Sequence, residues 1–306
     1  MTQLQHNPVM LGPAIDGLAV HTDGRYLDGT FGRGGHSAAI LERLGTDGQL
    51  LAIDRDPEAV AVARKRMAGD QRFSITHGNF SDLASVAASA SLDGILLDLG
   101  VSSPQLDDAS RGFSFMRDGP LDMRMDPSSG VPASQFVNTA EPRDIAWVLK
   151  RYGEEKRASA IARAIVAQRE DQPFTRTSEL AELIEKTLGR RQPGKHPATR
   201  SFQALRIYIN DELGALEAAL QAAAECLKPG GRLVIISFHS LEDRVVKRAL
   251  RGDISSQRHS RRLPPAVSEQ RVFRPLGKPV RGDDREIQLN PRARSAILRV
   301  GERVAA

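Results

Sequence analysis

The sequence predicts an α/β protein, built on a Rossmann-like parallel sheet with an inserted helical domain. In the first hundred residues, short apolar runs alternate with helical patterns, which is typical of a parallel sheet covered by helices. Between about residues 106 and 200 only helical patterns occur, and an apolar strand pattern returns near residue 232. We therefore expect two sheet parts, 1–105 and 201–306, separated by a helical domain over 106–200.

Four strands are predicted in the first sheet part, over residues 24–28, 48–54, 73–77 and 92–98. The fourth is the most apolar, so we expect it at the centre of the sheet with both of its faces buried. A helix over 37–44 follows the glycine-rich loop after the first strand. A second helix follows the second strand, where Pro57 stands at a favourable first-turn position.

The rest of the chain is predicted to be helical until the sheet resumes. Three helices are expected in the inserted domain, over 141–152, 154–169 and 178–188, and a long helix over 198–227 leads to a fifth strand over 232–237. The motif Ser240-Leu241-Glu242-Asp243 then predicts a helix that begins with a Ser-x-x-Asp capping box. Residues 252–284 are rich in arginine, proline and glycine, which predicts an irregular loop before a last strand near 295–300.

Composition favours an ordinary globular protein of the cytoplasm. Apolar residues form 40% of the chain and charged residues 26%, which allows a large core and argues against a disordered chain. No apolar stretch is long enough for a membrane span, and the first residues lack the pattern of a secretory signal. The single cysteine, Cys226, fits a reducing compartment and is interpreted as a core residue. No zinc motif occurs, so no metal is predicted.

Positive charge is concentrated near the end of the chain. Residues 244–294 contain fourteen Lys and Arg against five Asp and Glu, a net charge of +9, although the whole chain carries only +5. A basic segment of this kind would suit a polyanionic partner, because binding of phosphates releases counterions. A solvated basic loop would have the same composition, so charge alone does not decide between the two.

Acidic and glycine-rich strand ends predict a site for an adenosine-containing cofactor. Asp28 ends the first strand before a glycine-rich loop, and Asp54 ends the second strand, where a carboxylate can bind both ribose hydroxyls. A dinucleotide fingerprint requires glycine at position 37, but the sequence has Ser37. The looser glycine run therefore favours S-adenosylmethionine over a nicotinamide dinucleotide.

The third and fourth strand ends extend this site. Phe80 follows the third strand and is expected either beside the adenine or in the core. Asp98 ends the fourth strand before a loop of small residues, where it would accept N–H bonds from the exocyclic amine of a nucleobase and aim the weak nucleophile at the methyl donor. A loop cap or a cofactor contact is the alternative for Asp98. His239, after the fifth strand, has either a structural or a substrate-side role, and His36 is expected to line the cofactor pocket.

Seven longer motifs are spread along the chain. They are DGTFGRGGHS (28–37), AIDRD (52–56), DLGVSSPQ (98–105), RGFSF (111–115), GPLDMRM (119–125), SFHSLED (237–243) and NPRARS (290–295). Together they resemble the bacterial 16S ribosomal RNA cytosine-N4 methyltransferases, the RsmH (MraW) family. The resemblance covers nearly the whole chain and implies the class I methyltransferase fold, with S-adenosylmethionine as cofactor and a cytidine in the decoding region of 16S rRNA as substrate. It further implies cofactor contacts from Gly34, Gly35, His36, Asp54, Phe80, Asp98 and Gln105.

Three other functions are compatible with parts of this pattern. A nicotinamide-dependent oxidoreductase would use the same sheet, and would bind NADH rather than S-adenosylhomocysteine. A ribosome-assembly protein that binds RNA without turnover would keep the fold and would transfer no methyl group. A DNA amino-methyltransferase would solve the same chemical problem, but a base is more cheaply exposed from an RNA loop than from a duplex.

Overall fold

The computed structural model describes residues 8–189, 196–252 and 271–305, and the chain divides into two compact units. The sheet unit comprises residues 1–100 and 213–306, and the helical unit comprises residues 101–212. The sequence analysis placed 101–105 and 201–212 with the sheet parts, whereas here they group with the helical unit. Residues 201–212 group with the helical unit because the helix Thr199–Ile209 buries Phe202 and Leu205 in the core of that unit.

Seven strands of the described chain form one sheet in the order β3-β2-β1-β4-β5-β7-β6. Strands β1 to β5 are parallel, β7 is antiparallel to β5, and β6 is antiparallel to β7. The predicted α/β fold class with a Rossmann-like sheet is thereby confirmed. The strands are β1 Arg25–Asp28, β2 Gln49–Asp54, β3 Phe73–His77, β4 Leu92–Asp98, β5 Leu227–Ser237, β6 Phe273–Arg281 and β7 Ile297–Arg303.

Thirteen α-helices occur in the described residues, and none is both long and apolar enough to cross a lipid bilayer. Helix α1 was not predicted from the sequence. The helices are α1 Leu11–Leu18, α2 Gly35–Arg43, α3 Pro57–Arg66, α4 Leu83–Val86, α5 Ser103–Asp107, α6 Ala133–Thr139, α7 Pro142–Gly153, α8 Ala158–Asp171, α9 Thr177–Leu188, α10 Thr199–Ile209, α11 Glu212–Cys226, α12 Ser240–Leu250 and α13 Asp284–Leu289.

Strand β4 is buried on both faces, as its apolar run predicts. Ile95 and Leu97 pack in one cluster of the sheet unit, whereas Leu96, which points to the opposite face, packs in another cluster with Ile236 of β5. All four side chains are essentially inaccessible to solvent. The central position of β4 fixes the place of Asp98, the residue that ends it.

The helix predicted over 198–227 is two helices, α10 and α11. Asn210 follows α10 and is fully buried, and its side chain donates to the Met123 carbonyl (2.7 Å) and accepts from the Met125 N–H (2.8 Å). Asp211 has a positive φ of 47°, which a continuing helix does not allow. The break arises because the Asn210 amide bonds a distant loop of the helical unit, a contact that helical periodicity does not reveal.

Strand β6 is a correction to the sequence analysis, which predicted an irregular loop over 252–284. Pro275 and Pro279 lie within the strand, and the pairing with β7 shifts between Leu276 and Val280 around Gly277. Proline is tolerated there because β6 is the last strand of the sheet and its outer edge needs no N–H donor. Residues 253–270 of the predicted loop lie outside the described residues.

Candidate functional site

The glycine-rich loop after β1 is held by two carboxylates at strand ends. Asp28 accepts hydrogen bonds from the Thr30 N–H (3.0 Å) and the Ser37 hydroxyl (2.6 Å), which joins β1 to α2. Asp54, at the end of β2, accepts from the Gly32 N–H (2.6 Å). The loop is therefore fixed against the carboxyl ends of β1 and β2 before any ligand binds.

Gly34 precedes helix α2 and Gly35 begins it, and neither position has space for a side chain. Gly34 has a φ of 75°, and a Cβ on it would lie 2.4 Å from Cζ of Phe31. A Cβ on Gly35 would lie 2.1 Å from Cγ of Pro8. No side chain caps this helix, so its first N–H groups, with the positive end of the helix dipole, are presented at the loop.

Asp54 lies beside open space on the ligand side of the sheet. Gly32 and Gly78 both hydrogen-bond to Asp54, and the space around both glycines is open. A Cβ built on either glycine would lie no closer than 3.9 Å to any other atom. Its carboxylate accepts from Gly32 and from the Asp56 N–H (2.8 Å), which leaves lone pairs for two further donors. Burial raises the pKa of Asp54 to about 6, with a smaller rise from the charges of Asp56 and Asp28. A ribose with two hydroxyls fits this arrangement.

Phe80 lies in the short helical turn Phe80–Asp82 after β3. Its side chain is half-buried against the core of the sheet unit. A Cβ built on Gly29 would lie 3.3 Å from the Cβ of Phe80, so Phe80 and the glycine-rich loop are neighbours. The structure thus brings Phe80, Asp54 and the loop together along three adjacent strand ends. A contact between the Phe80 ring and an adenine stays a prediction.

Asp98 ends β4, and one of its carboxylate oxygens is buried. The Asp98 backbone N–H donates to Thr30 Oγ1 (2.6 Å), and Oδ2 lies 3.8 Å from Nδ1 of His36. Within the described chain, Oδ1 is buried without any hydrogen bond. Such an atom is costly unless a ligand supplies a donor.

The charge state of Asp98 is set by several neighbours. Burial is the largest effect and raises the pKa of Asp98 to about 6, and the negative charges of Asp28 and Glu242 act in the same direction. The charges of His36 and Arg292 lower it. His36 is itself buried and fixed by a 3.1 Å contact between Nε2 and the Val9 carbonyl. A carboxylate with this pKa is ionised at neutral pH and can still accept a proton.

His239 is the residue that caps helix α12, which corrects the predicted Ser240-x-x-Asp243 box. Its Nδ1 accepts from the Glu242 N–H (3.4 Å), and Glu242 accepts in return from the His239 N–H (3.2 Å) and the Phe238 N–H (2.8 Å). The capping box forms one residue earlier than predicted because the Glu242 carboxylate reaches back to the N–H groups at the start of the helix. These bonds give His239 a structural role, and a contact with the substrate stays a prediction.

Gln105 lies in helix α5 of the helical unit. It accepts from the Ser102 N–H (2.8 Å), and Ser102 Oγ accepts from the Gln105 N–H (3.4 Å), which forms a capping box at the start of α5. Its predicted cofactor contact therefore stays a prediction.

Two residues near Asp98 were not singled out from the sequence. Arg292 lies 5.3 Å from the ring centroid of Phe238 and acts on Asp98 through its charge. Glu242 also acts on Asp98, and was interpreted only as an interior residue of the capping box. The signal for Arg292 was present in the NPRARS motif, but its distance of almost two hundred residues from Asp98 hid the relation.

Comparison with known proteins gives extensive matches. The sequence model of the MraW methylase family matches residues 3–304. Ribosomal RNA small subunit methyltransferase H of Stenotrophomonas maltophilia is 56% identical over 299 residues, which cover 97% of this chain and 93% of that protein. The protein of the same name from Shewanella amazonensis is 54% identical over 306 residues, covering 98% of this chain and 97% of the relative. A solved rRNA methylase from Streptococcus thermophilus matches with a TM-score of 0.41 and 14% identity over 95% of this chain and 93% of that one, which is too remote to add to the argument.

The family match extends over the glycine-rich loop, Asp54 and Asp98. The family is one of methylases, and the predicted cofactor, S-adenosylmethionine, is the methyl donor. With a match over almost its whole length and relatives above half identity, the chain belongs to the MraW methylase family.

Proposed function

We propose that this protein methylates 16S ribosomal RNA of the small subunit, at the N4 amine of a cytidine in the decoding region. The observation that carries the proposal is Oδ1 of Asp98, which is buried without a hydrogen bond from any residue that the structure describes and is therefore suited to accept an N–H of an exocyclic amine. The names of the relatives support small-subunit RNA as the substrate. The choice of cytosine N4 rests on the resemblance of the motifs. A cytoplasmic location, where ribosomes are present, belongs to the same proposal.

The residues of the sheet edge are suited to hold the cofactor. We propose that Gly34, Gly35 and His36 at the start of α2 contact its amino-acid end, and that Asp54 binds the ribose hydroxyls. The N–H donors would come from Gly35 and His36, because the Gly34 N–H already donates to the Phe31 carbonyl (2.7 Å). Phe80 would cover the adenine, and Gln105 would complete the pocket. When bound, S-adenosylmethionine supplies an electrophilic methyl group on a positively charged sulfur.

Asp98 would act on the nucleophile. The lone pair of a cytosine amine is delocalised into the ring, so the amine needs an acceptor for its N–H bonds and a fixed direction of attack. The amine nitrogen forms the new N–C bond as the C–S bond breaks with its electron pair on sulfur. The nitrogen then loses one proton, which the Asp98 carboxylate accepts. The charges of His36 and Arg292 favour the ionised form of Asp98 that this step requires.

Transfer of a labelled methyl group tests the proposed function. Protein and methyl-labelled S-adenosylmethionine are incubated with unmethylated 16S rRNA and, separately, with small ribosomal subunits that contain it. After digestion to nucleosides, we expect the label in N4-methylcytidine. Label on a ring carbon or on ribose would contradict the amine assignment, and no label in either substrate would contradict the function. A single-stranded DNA of the same sequence, methylated equally well, would favour the DNA alternative.

The pKa values predict an acid limb in the activity profile. Asp54 and Asp98 both have a pKa of about 6, and both are proposed to act as carboxylates. A raised carboxyl pKa means that the charged form is lost as the pH falls through about 6. We therefore expect kcat/KM for the cofactor to fall at least about tenfold per pH unit below that point. The measurement is initial rate against pH at low cofactor concentration, and a flat profile down to pH 5 would contradict the shifted values.

A further inference from the structure

The end of strand β6 lies at the same sheet edge as Asp98. Because β6 is antiparallel to β7, and β7 is antiparallel to β5, β6 runs in the direction of β4 and β5. The strand pairing aligns four residues in one row across the sheet, in the order Asp98, Ile236, Leu298 and Val280. Three strand spacings separate the ends of that row, or about 14 Å. The next residue of β6, Arg281, is the last residue of the strand.

Basic side chains are exposed at and beyond this strand end. Residues 271–294 contain seven Lys and Arg against three Asp and Glu. Lys278, Arg281, Arg285 and Arg294 are all exposed. In the described part of the chain, neither Lys278 nor Arg281 forms a salt bridge, whereas Arg274, nearer the start of β6, pairs with Glu302.

The segment after β6 connects these charges to Asp98. A Cβ on Gly282 would lie 2.9 Å from Cβ of Ala293, so the end of β6 packs against the turn Pro291–Arg294. That turn carries Arg292, which contacts Phe238 and acts on Asp98. Positive charge therefore continues along the sheet edge from the neighbourhood of Asp98 to the end of β6.

Protection of an edge strand explains only part of this arrangement. Prolines, a bulge and a lysine prevent another strand from pairing with the edge, and Pro275, Pro279 and Lys278 are suited to that role. Edge protection does not require arginine at the last residue of the strand or in the helix that follows. A chain of phosphates that passes the sheet edge at which Asp98 lies does require positive charge there.

We infer that Lys278 and Arg281 bind phosphates of the substrate RNA about four nucleotides from the methylated one, an inference that rests on the proposed function. The end of β6 at Val280 lies about 14 Å from Asp98, which corresponds to about four stacked nucleotides at the 3.4 Å rise of one nucleic-acid strand. These contacts would position the RNA strand without recognising its base sequence. The substrate feature recognised is thus the single-stranded phosphate backbone flanking the target base.

Neutralisation of the two side chains tests this inference. The variant K278Q/R281Q is compared with K247Q/R248Q, which makes the same charge change in exposed residues of the last turn of α12. Lys247 and Arg248 lie about 11 to 12 Å along α12 from its first residue, Ser240, which follows the end of β5. The ion pair of Arg248 with Glu217 is exposed and contributes little. For each protein, KM for 16S rRNA or the small subunit is measured from 50 to 200 mM salt, with S-adenosylhomocysteine binding as the folding control.

We expect KM for RNA to rise about tenfold in K278Q/R281Q, and the slope of log KM against log salt to become shallower by about 1.4. The matched control should retain both wild-type values. Wild-type KM and slope in K278Q/R281Q would overturn the inference, as would aggregation of that variant with unchanged RNA affinity, which would indicate edge protection alone. If the double variant does not fold, R281Q carries the same test with half the change in slope.

Failure of the proposed function can be distinguished from failure of the inference about Lys278 and Arg281. If the wild-type protein transfers no methyl group to RNA, the proposed function is wrong. The phosphate contacts are then measured by the salt dependence of binding of a fluorescent single-stranded RNA, in the same pair of variants. Equal binding by both variants would overturn the inference about Lys278 and Arg281 on its own.

Discussion

Replacement of Asp98 by alanine is expected to lower kcat for methyl transfer by about 100-fold or more, with a much smaller effect on the binding of S-adenosylhomocysteine. The buried Oδ1 has no hydrogen bond within the described residues, so little of the folded site depends on it, whereas the amine would lose both its orientation and its proton acceptor. Single-turnover rates and calorimetric cofactor binding separate the two effects.

The variant D98N sharpens this test. Asparagine keeps the size of the side chain and one oxygen acceptor, but it cannot take the proton that the nitrogen loses. We expect D98N to bind RNA and cofactor nearly normally and to turn over slowly. A D98A protein that retains kcat within threefold of the wild type would show that Asp98 is only a structural residue.

Replacement of Asp54 by alanine is expected to weaken S-adenosylhomocysteine binding by about 10- to 100-fold, the effect of losing charge-assisted hydrogen bonds to the ribose. The change also removes the acceptor of the Gly32 N–H, so the glycine-rich loop should become less ordered. The dissociation constant is measured by calorimetry at neutral pH, where the carboxylate is charged.

The matched control is D47A, because Asp47 is an exposed aspartate in the turn before β2. It should bind the cofactor as the wild type does. If D54A also keeps wild-type affinity, the ribose is not bound at the end of β2, and the cofactor site must be reassigned.

The strand ends could be predicted because each carries its own local signal. Asp28, Asp54 and Asp98 each follow an apolar run directly, and parallel strands bring their carboxyl ends to one edge. The bounds of β3 and β4 were correct to the residue for the same reason. Periodicity and a terminal acidic residue were sufficient, without knowledge of the tertiary contacts.

The features that were missed depend on contacts between distant parts of the chain. Strand β6 contains two prolines and is stable only because β7 supplies its hydrogen bonds on one side. The break at Asn210 depends on a loop near residue 124, and the role of Arg292 depends on strand β5 and the end of β4. For His239, the sequence analysis predicted only the Ser240-x-x-Asp243 box, whereas the buried Glu242 forms the box with His239, one residue earlier.

The account depends on one location for the methyl donor, at the ends of β1, β2 and β4. A crystal structure of the protein with S-adenosylhomocysteine tests it most directly. We expect the ribose hydroxyls within about 3.2 Å of the Asp54 oxygens, the amino-acid end beside Gly34 at the N–H groups of Gly35 and His36, and the sulfur facing Asp98. Clear density for the cofactor at any other place, with the edge beside Asp54 and Asp98 free of it, would contradict the account.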